Sequence, residues 1–94
     1  MTLQLLCRNR ITDYERFRGA FLADLDRAGA AGLRLRALWR EVDAPEEVHF
    51  LFDADDRHRA EAFMTSPESA ASGEQAGVVD GDYHWLEPLD LSGA

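Results

Sequence analysis

The residues best suited by type and spacing to do chemistry lie in one short stretch, Leu33 to Asp53, which holds Arg36, Arg40, His49 and Asp53. Histidine titrates near neutral pH, and a neighbouring carboxylate or guanidinium tunes it. Arginine grips a carboxylate or enolate oxygen through its planar fork. Side chains alternate between the two faces of a strand. Read as two strands, the stretch puts Leu33, Leu35, Ala37, Trp39, Val48, Phe50 and Phe52 on one face. The other face carries Arg34, Arg36, Leu38, Arg40, His49, Leu51 and Asp53. That second face has two readings. It can do acid–base work on a small oxygenated molecule, or it can form the seam of a dimer, with arginines pairing to aspartates across sheets.

Aromatic residues supply a second candidate. Trp39, Trp85, Tyr83, Phe50 and Phe52 suit the lining of an apolar pocket, and equally an ordinary core. His84 stands between Tyr83 and Trp85 and is placed to share a cleft with His49. The ligand-binding candidates are therefore Arg36, Trp39, His49, His84 and Trp85. The dimer-interface candidates are Arg34, Arg36, Leu38, Arg40, His49, Leu51 and Asp53.

Other chemistries fit poorly. Asp53-Ala54-Asp55-Asp56 resembles the start of a calcium loop, but Arg57 and His58 stand where an acid or amide and then glycine are needed. His49, His58 and His84 are too widely spaced to suggest a metal site. The single cysteine, Cys7, allows no internal disulfide and no cysteine zinc site, and its strand position predicts an inert buried thiol. No glycine-rich phosphate loop or nucleophile elbow is present. No metal and no built-in cofactor is expected.

Composition narrows the class further. The chain has 94 residues, which suits one domain with a single core. It is 46% hydrophobic, as globular chains are. Net charge is −8, with every positive charge on arginine, which argues against nucleic-acid and anionic-membrane partners. No apolar run is long enough to cross a bilayer. Leu3, Leu5 and Leu6 lack the basic lead of a signal peptide, so a cytoplasmic location is expected.

The elements that must position these residues follow in order. Leu3 to Arg10 reads as a strand with Leu3, Leu5 and Cys7 on one face. Thr12-Asp13-Tyr14-Glu15 has capping-box spacing, with Thr12 as the cap. Tyr14, Phe17, Phe21, Leu25 and Ala28 recur at helical spacing, and the helix runs out at Gly29 to Gly32. The hairpin follows, turning at Val42 to Glu47. Asp55 or Asp56 then caps a helix with Ala60, Phe63 and Met64 on one side, and Ser66-Pro67-Glu68 restarts it. Asp80-Gly81-Asp82 reads as a turn, and Tyr83 to Leu86 as the last strand. The domain is expected to span residues 1–88, with a loose tail over 89–94.

The resulting order, β-α-β-β-α-β, predicts an α+β, ferredoxin-like antiparallel sheet with both helices on one face. The uncovered face, holding Leu38 and Leu51, invites a partner sheet.

At this level the chain resembles the dimeric α/β-barrel superfamily, which includes antibiotic-biosynthesis monooxygenase-like and small cyclase-like bacterial proteins. The resemblance runs from Leu3 to Pro88. It rests on Asp13-Tyr14, the Trp39-to-Asp53 hairpin with its Asp43-to-Glu47 turn, Ala62-Phe63-Met64-Thr65-Ser66-Pro67-Glu68, Ala76-Gly77-Val78 and Leu86-Glu87-Pro88. It implies a homodimer whose two sheets close a barrel. Relatives include cofactor-free oxygenases, haem-degrading enzymes and isomerases, so fold alone does not carry activity. The haem-ligating histidine of such relatives has no counterpart, since His58 sits at a helix start between Arg57 and Arg59. The asparagine–tryptophan pair of the quinone-forming oxygenases also finds no match, the only asparagine being Asn9. The expected function is binding of a small, apolar, oxygen-bearing molecule, as a cofactor-free oxygenase, isomerase or cyclase. The alternative is a non-catalytic dimerisation or ligand-sensing domain.

Overall fold

The computed structural model describes residues 2–91. Four strands and three helices run in the order β1 (Leu3–Ile11), α1 (Tyr14–Ala30), β2 (Leu33–Arg40), β3 (Glu47–Ala54), α2 (Arg57–Met64), α3 (Pro67–Gln75) and β4 (Val78–Leu86). The strands form one sheet in the order β2-β3-β1-β4, and every neighbouring pair is antiparallel. This is the βαββαβ architecture expected from the sequence, with the second helix split in two. The helices cover one face and leave the other open.

The core lies between helices and sheet. Leu5, Cys7, Phe50 and Phe52 point up from the central strands, and Phe17, Ala28 and Ala60 point down from the helices. Phe17 stacks on Phe21 at 5.2 Å, Phe21 meets the edge of Phe50 at 5.0 Å, and Phe50 meets Phe52 at 5.7 Å. Such offset and edge contacts suit the ring quadrupoles. Phe17 is the most deeply buried of these rings, at 1% exposure.

Several local expectations are corrected. The cap of α1 is Asp13, whose side chain accepts from the Glu15 amide at 3.2 Å. Thr12 instead donates its hydroxyl to the Gly77 carbonyl, tying the start of α1 to the end of α3. Asp80-Gly81-Asp82 is not a turn but the middle of β4, paired to Arg10, Asn9 and Arg8. The glycine there has a steric cause. A Cβ at position 81 would lie 2.6 Å from the Asn9 side-chain oxygen and 2.8 Å from the Arg8 carbonyl oxygen. The helix-end glycine behaves as expected, with Gly32 at φ +83°. Ser66 caps α3 by accepting from the Ser69 amide, and Pro67 opens that helix.

The largest correction concerns β2. Leu35 pairs with Phe52, but the next pair is Ala37 with Leu51, so Arg36 is an extra residue in the strand. A bulge of this kind shifts the alternation by one. Beyond it, Leu38 pairs with Phe50 and Arg40 with Val48, which places both on the helix-covered face. The Arg40 guanidinium accordingly lies 5.0 Å over the Tyr14 ring of α1. Ala37 and Trp39 pair with Leu51 and His49 and turn to the open face instead. Of the tail expected over residues 89–94, Leu89 and Leu91 are exposed, and 92–94 lie outside the described residues.

Candidate functional site

Pairing across the sheet sorts the candidate residues onto two faces. On the open face, β3 contributes His49, Leu51 and Asp53, β1 contributes Gln4, Leu6, Arg8 and Arg10, and β4 contributes Asp80, Asp82, His84 and Leu86. Arg34, Ala37 and Trp39 join them from β2. Of the dimer-seam candidates, Arg34, His49, Leu51 and Asp53 thus share one face, and Arg36 reaches it from the bulge through Asp53 at 3.4 Å. Leu38 and Arg40 do not share it.

Almost every charge on this face has a partner in the same chain. Arg8 is the hub, 2.8 Å from Glu47, 3.0 Å from Asp82 and 3.1 Å from Asp80. Arg10 also reaches Glu47, at 3.0 Å. Arg34 binds Asp55 at 2.7 Å, and His49 lies 2.8 Å from Glu41. The hydrogen bond from Arg8, with a second from Arg10, holds the Glu47 carboxyl below the usual carboxylate range. Arg8 does the same to Asp80, and Arg34 to Asp55. Such pairs favour the charged form of each acid. The arginines are therefore occupied, and the face offers a substrate few unclaimed donors. Between these pairs lie the apolar groups Leu6, Ala37, Leu51, Leu86 and Trp39, the last 50% exposed.

The helix-covered face holds a different site. A cleft of about 360 Å³ opens between the sheet, α1 and α3. Phe17, Phe21, Phe50, Phe52 and Phe63 supply most of its aromatic wall, with Leu5, Cys7, Leu25 and Met64 between them. Its size and apolar lining are those of a small-molecule pocket. Three hydrogen-bonding groups border it without a partner among the described residues: the Asn9 amide, the Ser72 hydroxyl and the Tyr83 hydroxyl. The two bordering carboxylates are both engaged, Asp24 by Arg27 at 2.7 Å and Asp82 by Arg8. Burial pushes the Cys7 thiol up to about 12, with Asp82 adding to the effect, so the thiol stays protonated. The cleft thus presents neutral donors and acceptors on an aromatic floor. No cluster of metal-ligating side chains occurs among the described residues.

The aromatic expectation divides accordingly. Phe50, Phe52 and Tyr83 line the cleft. Trp85 packs on the same face, with the Arg57 guanidinium 5.4 Å from its ring, and its indole N–H is buried without a partner among the described residues. Trp39 is on the opposite face because of the bulge. His49, His84 and Arg36 also face away from the cleft, so the expected shared site of histidines and aromatics does not form. Asn9 and Ser72 were missed as site residues. The signal for Asn9 was present, since it falls in phase with Leu5 and Cys7 on β1 and so must face the core side.

No family model matches the chain, and no curated protein matches it. Solved structures do. A protein from Bordetella bronchiseptica, provisionally named an antibiotic biosynthesis monooxygenase, aligns with a TM-score of 0.77 over 94% of this chain and 97% of its own, at 14% identity. SnoaB, a cofactor-independent oxygenase from Streptomyces nogalater, aligns at 0.73 over 95% and 94%, at 12% identity. An uncharacterised NIPSNAP domain protein from Burkholderia xenovorans aligns at 0.69 over 95% and 96%, at 18% identity. The chain has the ferredoxin-like fold of the antibiotic biosynthesis monooxygenase-like proteins. At such identities the likeness establishes the fold, as the resemblance read from the sequence implied, and leaves activity to the site itself. No described helix is long and apolar enough to cross a membrane.

Proposed function

We propose that this protein binds a small, largely apolar, uncharged molecule bearing oxygen, held in the cleft between sheet and helices. The observation that carries the reading is the cleft itself, with its phenylalanine wall and three unpartnered neutral hydrogen-bonding groups. Each of these groups can donate to or accept from a ligand that carries a matching oxygen or hydroxyl. No cationic side chain is among the described lining residues, which disfavours an anionic ligand. Asn9 is the proposed anchor for a carbonyl or hydroxyl oxygen, because Gly81 leaves the space its side chain fills. Chemistry of the cofactor-free oxygenase, isomerase or cyclase type suits such a cleft, which would contribute orientation and exclusion of water around a reactive substrate. The same reading takes the protein to be a cytoplasmic bacterial homodimer whose open sheet faces pack together, with half-exposed Trp39 in the seam.

The test is titration with a neutral hydroxyarene such as 2-naphthol, followed by calorimetry. Asn9→Leu is expected to weaken binding about tenfold, the equivalent of one lost hydrogen bond. His49→Ala and Arg36→Ala are expected to leave it unchanged, since both residues face the other side of the sheet. Loss of binding in the His49 and Arg36 variants with full binding in the Asn9 variant would overturn the assignment. A second reading, a dimerisation domain with no reaction, is favoured by a lining in which both carboxylates, Asp24 and Asp82, are paired to arginines and the Cys7 thiol stays protonated. It predicts binding without turnover.

A further inference from the structure

Helix α3 contributes Ser69, Ser72 and Gly73 to the cleft wall, and one of these positions stands out. Gly73 lies inside the helix at an ordinary helical φ, so no left-handed backbone requires it. Glycine in a helix interior is destabilising relative to alanine. No neighbour requires it either, because a Cβ at position 73 would meet nothing within 4 Å. Gly19 and Gly29 in α1 also meet nothing, but both are exposed, and the space before them is bulk solvent. Gly73 is half-buried and borders the cleft together with Ser72 and Ala76. Because Gly73 is part of the cleft lining, the open space in front of it is read as belonging to the cleft. The protein forgoes a better helix former at a place where only something absent from the folded chain would collide with the added side chain.

We infer that Gly73 is a specificity-determining position, whose missing side chain sets the largest ligand the cleft admits. This rests on the cleft being a ligand site. Substitution should then trade ligand size for stability. Alanine and leucine improve the helix and fill void, while reducing the space left for a bound molecule.

The experiment measures the melting temperature and the affinity for phenol, 2-naphthol and 2-hydroxyanthracene in the native protein, Gly73→Ala and Gly73→Leu. Both variants are expected to melt at or above the native temperature. Gly73→Leu should weaken the three-ring probe by about tenfold or more and phenol by less than about threefold, in line with what added methylenes do in an apolar pocket. Gly73→Ala should fall between. A fall in melting temperature in both variants would make Gly73 a structural requirement and overturn the inference. So would unchanged affinity for all three probes in both variants, with the ligand site itself left standing. A native protein that binds none of the probes would remove the ligand site and this inference together.

Discussion

Trp39 offers the most discriminating perturbation, because plain strand alternation and the observed bulge put it on opposite sides of the sheet. It pairs with His49 on the open face and is 50% exposed. A tryptophan side chain buries up to about 250 Å², so roughly 125 Å² of each Trp39 remains for a partner to cover. At about 25 cal/mol per Å² that is roughly 3 kcal/mol per protomer. A two-fold interface contains the residue twice, giving an upper figure of about 6 kcal/mol. Area converts incompletely into affinity. A floor of about 3 kcal/mol still corresponds to a dimer Kd raised more than about a hundredfold in Trp39→Ala. Sedimentation velocity across a concentration series reads this directly. Leu38→Asp is the matched control. Leu38 lies opposite Phe50 on the helix side, so its substitution should lower the melting temperature and leave the dimer Kd within about threefold. Without the bulge, the two results would exchange: Leu38 would sit in the seam and Trp39 in the core. An unchanged Kd in Trp39→Ala, or a native protein that is monomeric throughout the series, would refute the reasoning.

Two further outcomes follow from the titrating groups. Glu47, Asp80 and Asp55 have carboxyl groups held low by arginines, so the stability they contribute is present at neutral pH. It is lost on acidification, because the unfolded chain takes up these protons at ordinary carboxylate values near about 4 and the native state resists until lower pH. The melting temperature should therefore drop below about pH 5, and Arg8→Met should flatten that drop; parallel curves for the two proteins would contradict the Arg8 hub. Cys7, its thiol pushed up to about 12 by burial, should resist Ellman's reagent at pH 8 until the chain is unfolded; rapid native labelling would show that the cleft floor is open to water.

The architecture was legible because its signals are strong and periodic. The stripe of Tyr14, Phe17, Phe21, Leu25 and Ala28 defines α1, and Ser66-Pro67 marks the start of α3 with a cap and a fixed φ. What alternation could not reveal was the bulge at Arg36, since an inserted residue leaves no mark in composition and reverses every later side chain in the strand. That single residue moved Trp39 out of the aromatic group and Leu38 and Arg40 out of the seam. The extent of β4 was obscured for a related reason. Asp80-Gly81-Asp82 has turn chemistry, but its aspartates are drawn to Arg8 and its glycine is demanded by Asn9 on the neighbouring strand. These are tertiary causes that no local window contains. His49 and Asp53 lie on one face of β3, and Arg36 reaches that face from the bulge through its contact with Asp53. The separation of this constellation from the cleft follows only once the helices are placed.

The two faces of the sheet solve opposite electrostatic problems. A charge taken out of water is expensive unless it is paired and hydrogen-bonded. On the open face Arg8, Arg10, Glu47, Asp80 and Asp82 already satisfy one another within one chain. A second sheet laid over them would therefore need to supply apolar contact around Trp39, Leu6 and Leu51 and not compensating charge. Truncating Arg8 in that setting would strand several carboxylates at once, which is why Arg8→Met should weaken a dimer more than removal of any single acid. The cleft inverts this arrangement. Its bordering carboxylates, Asp24 and Asp82, are each paired to an arginine, and its neutral amide and hydroxyl groups have no partner among the described residues. A face whose polar groups are internally satisfied is suited to assembly, and one whose polar groups are unsatisfied is suited to a ligand. In this chain the sheet itself keeps the two apart.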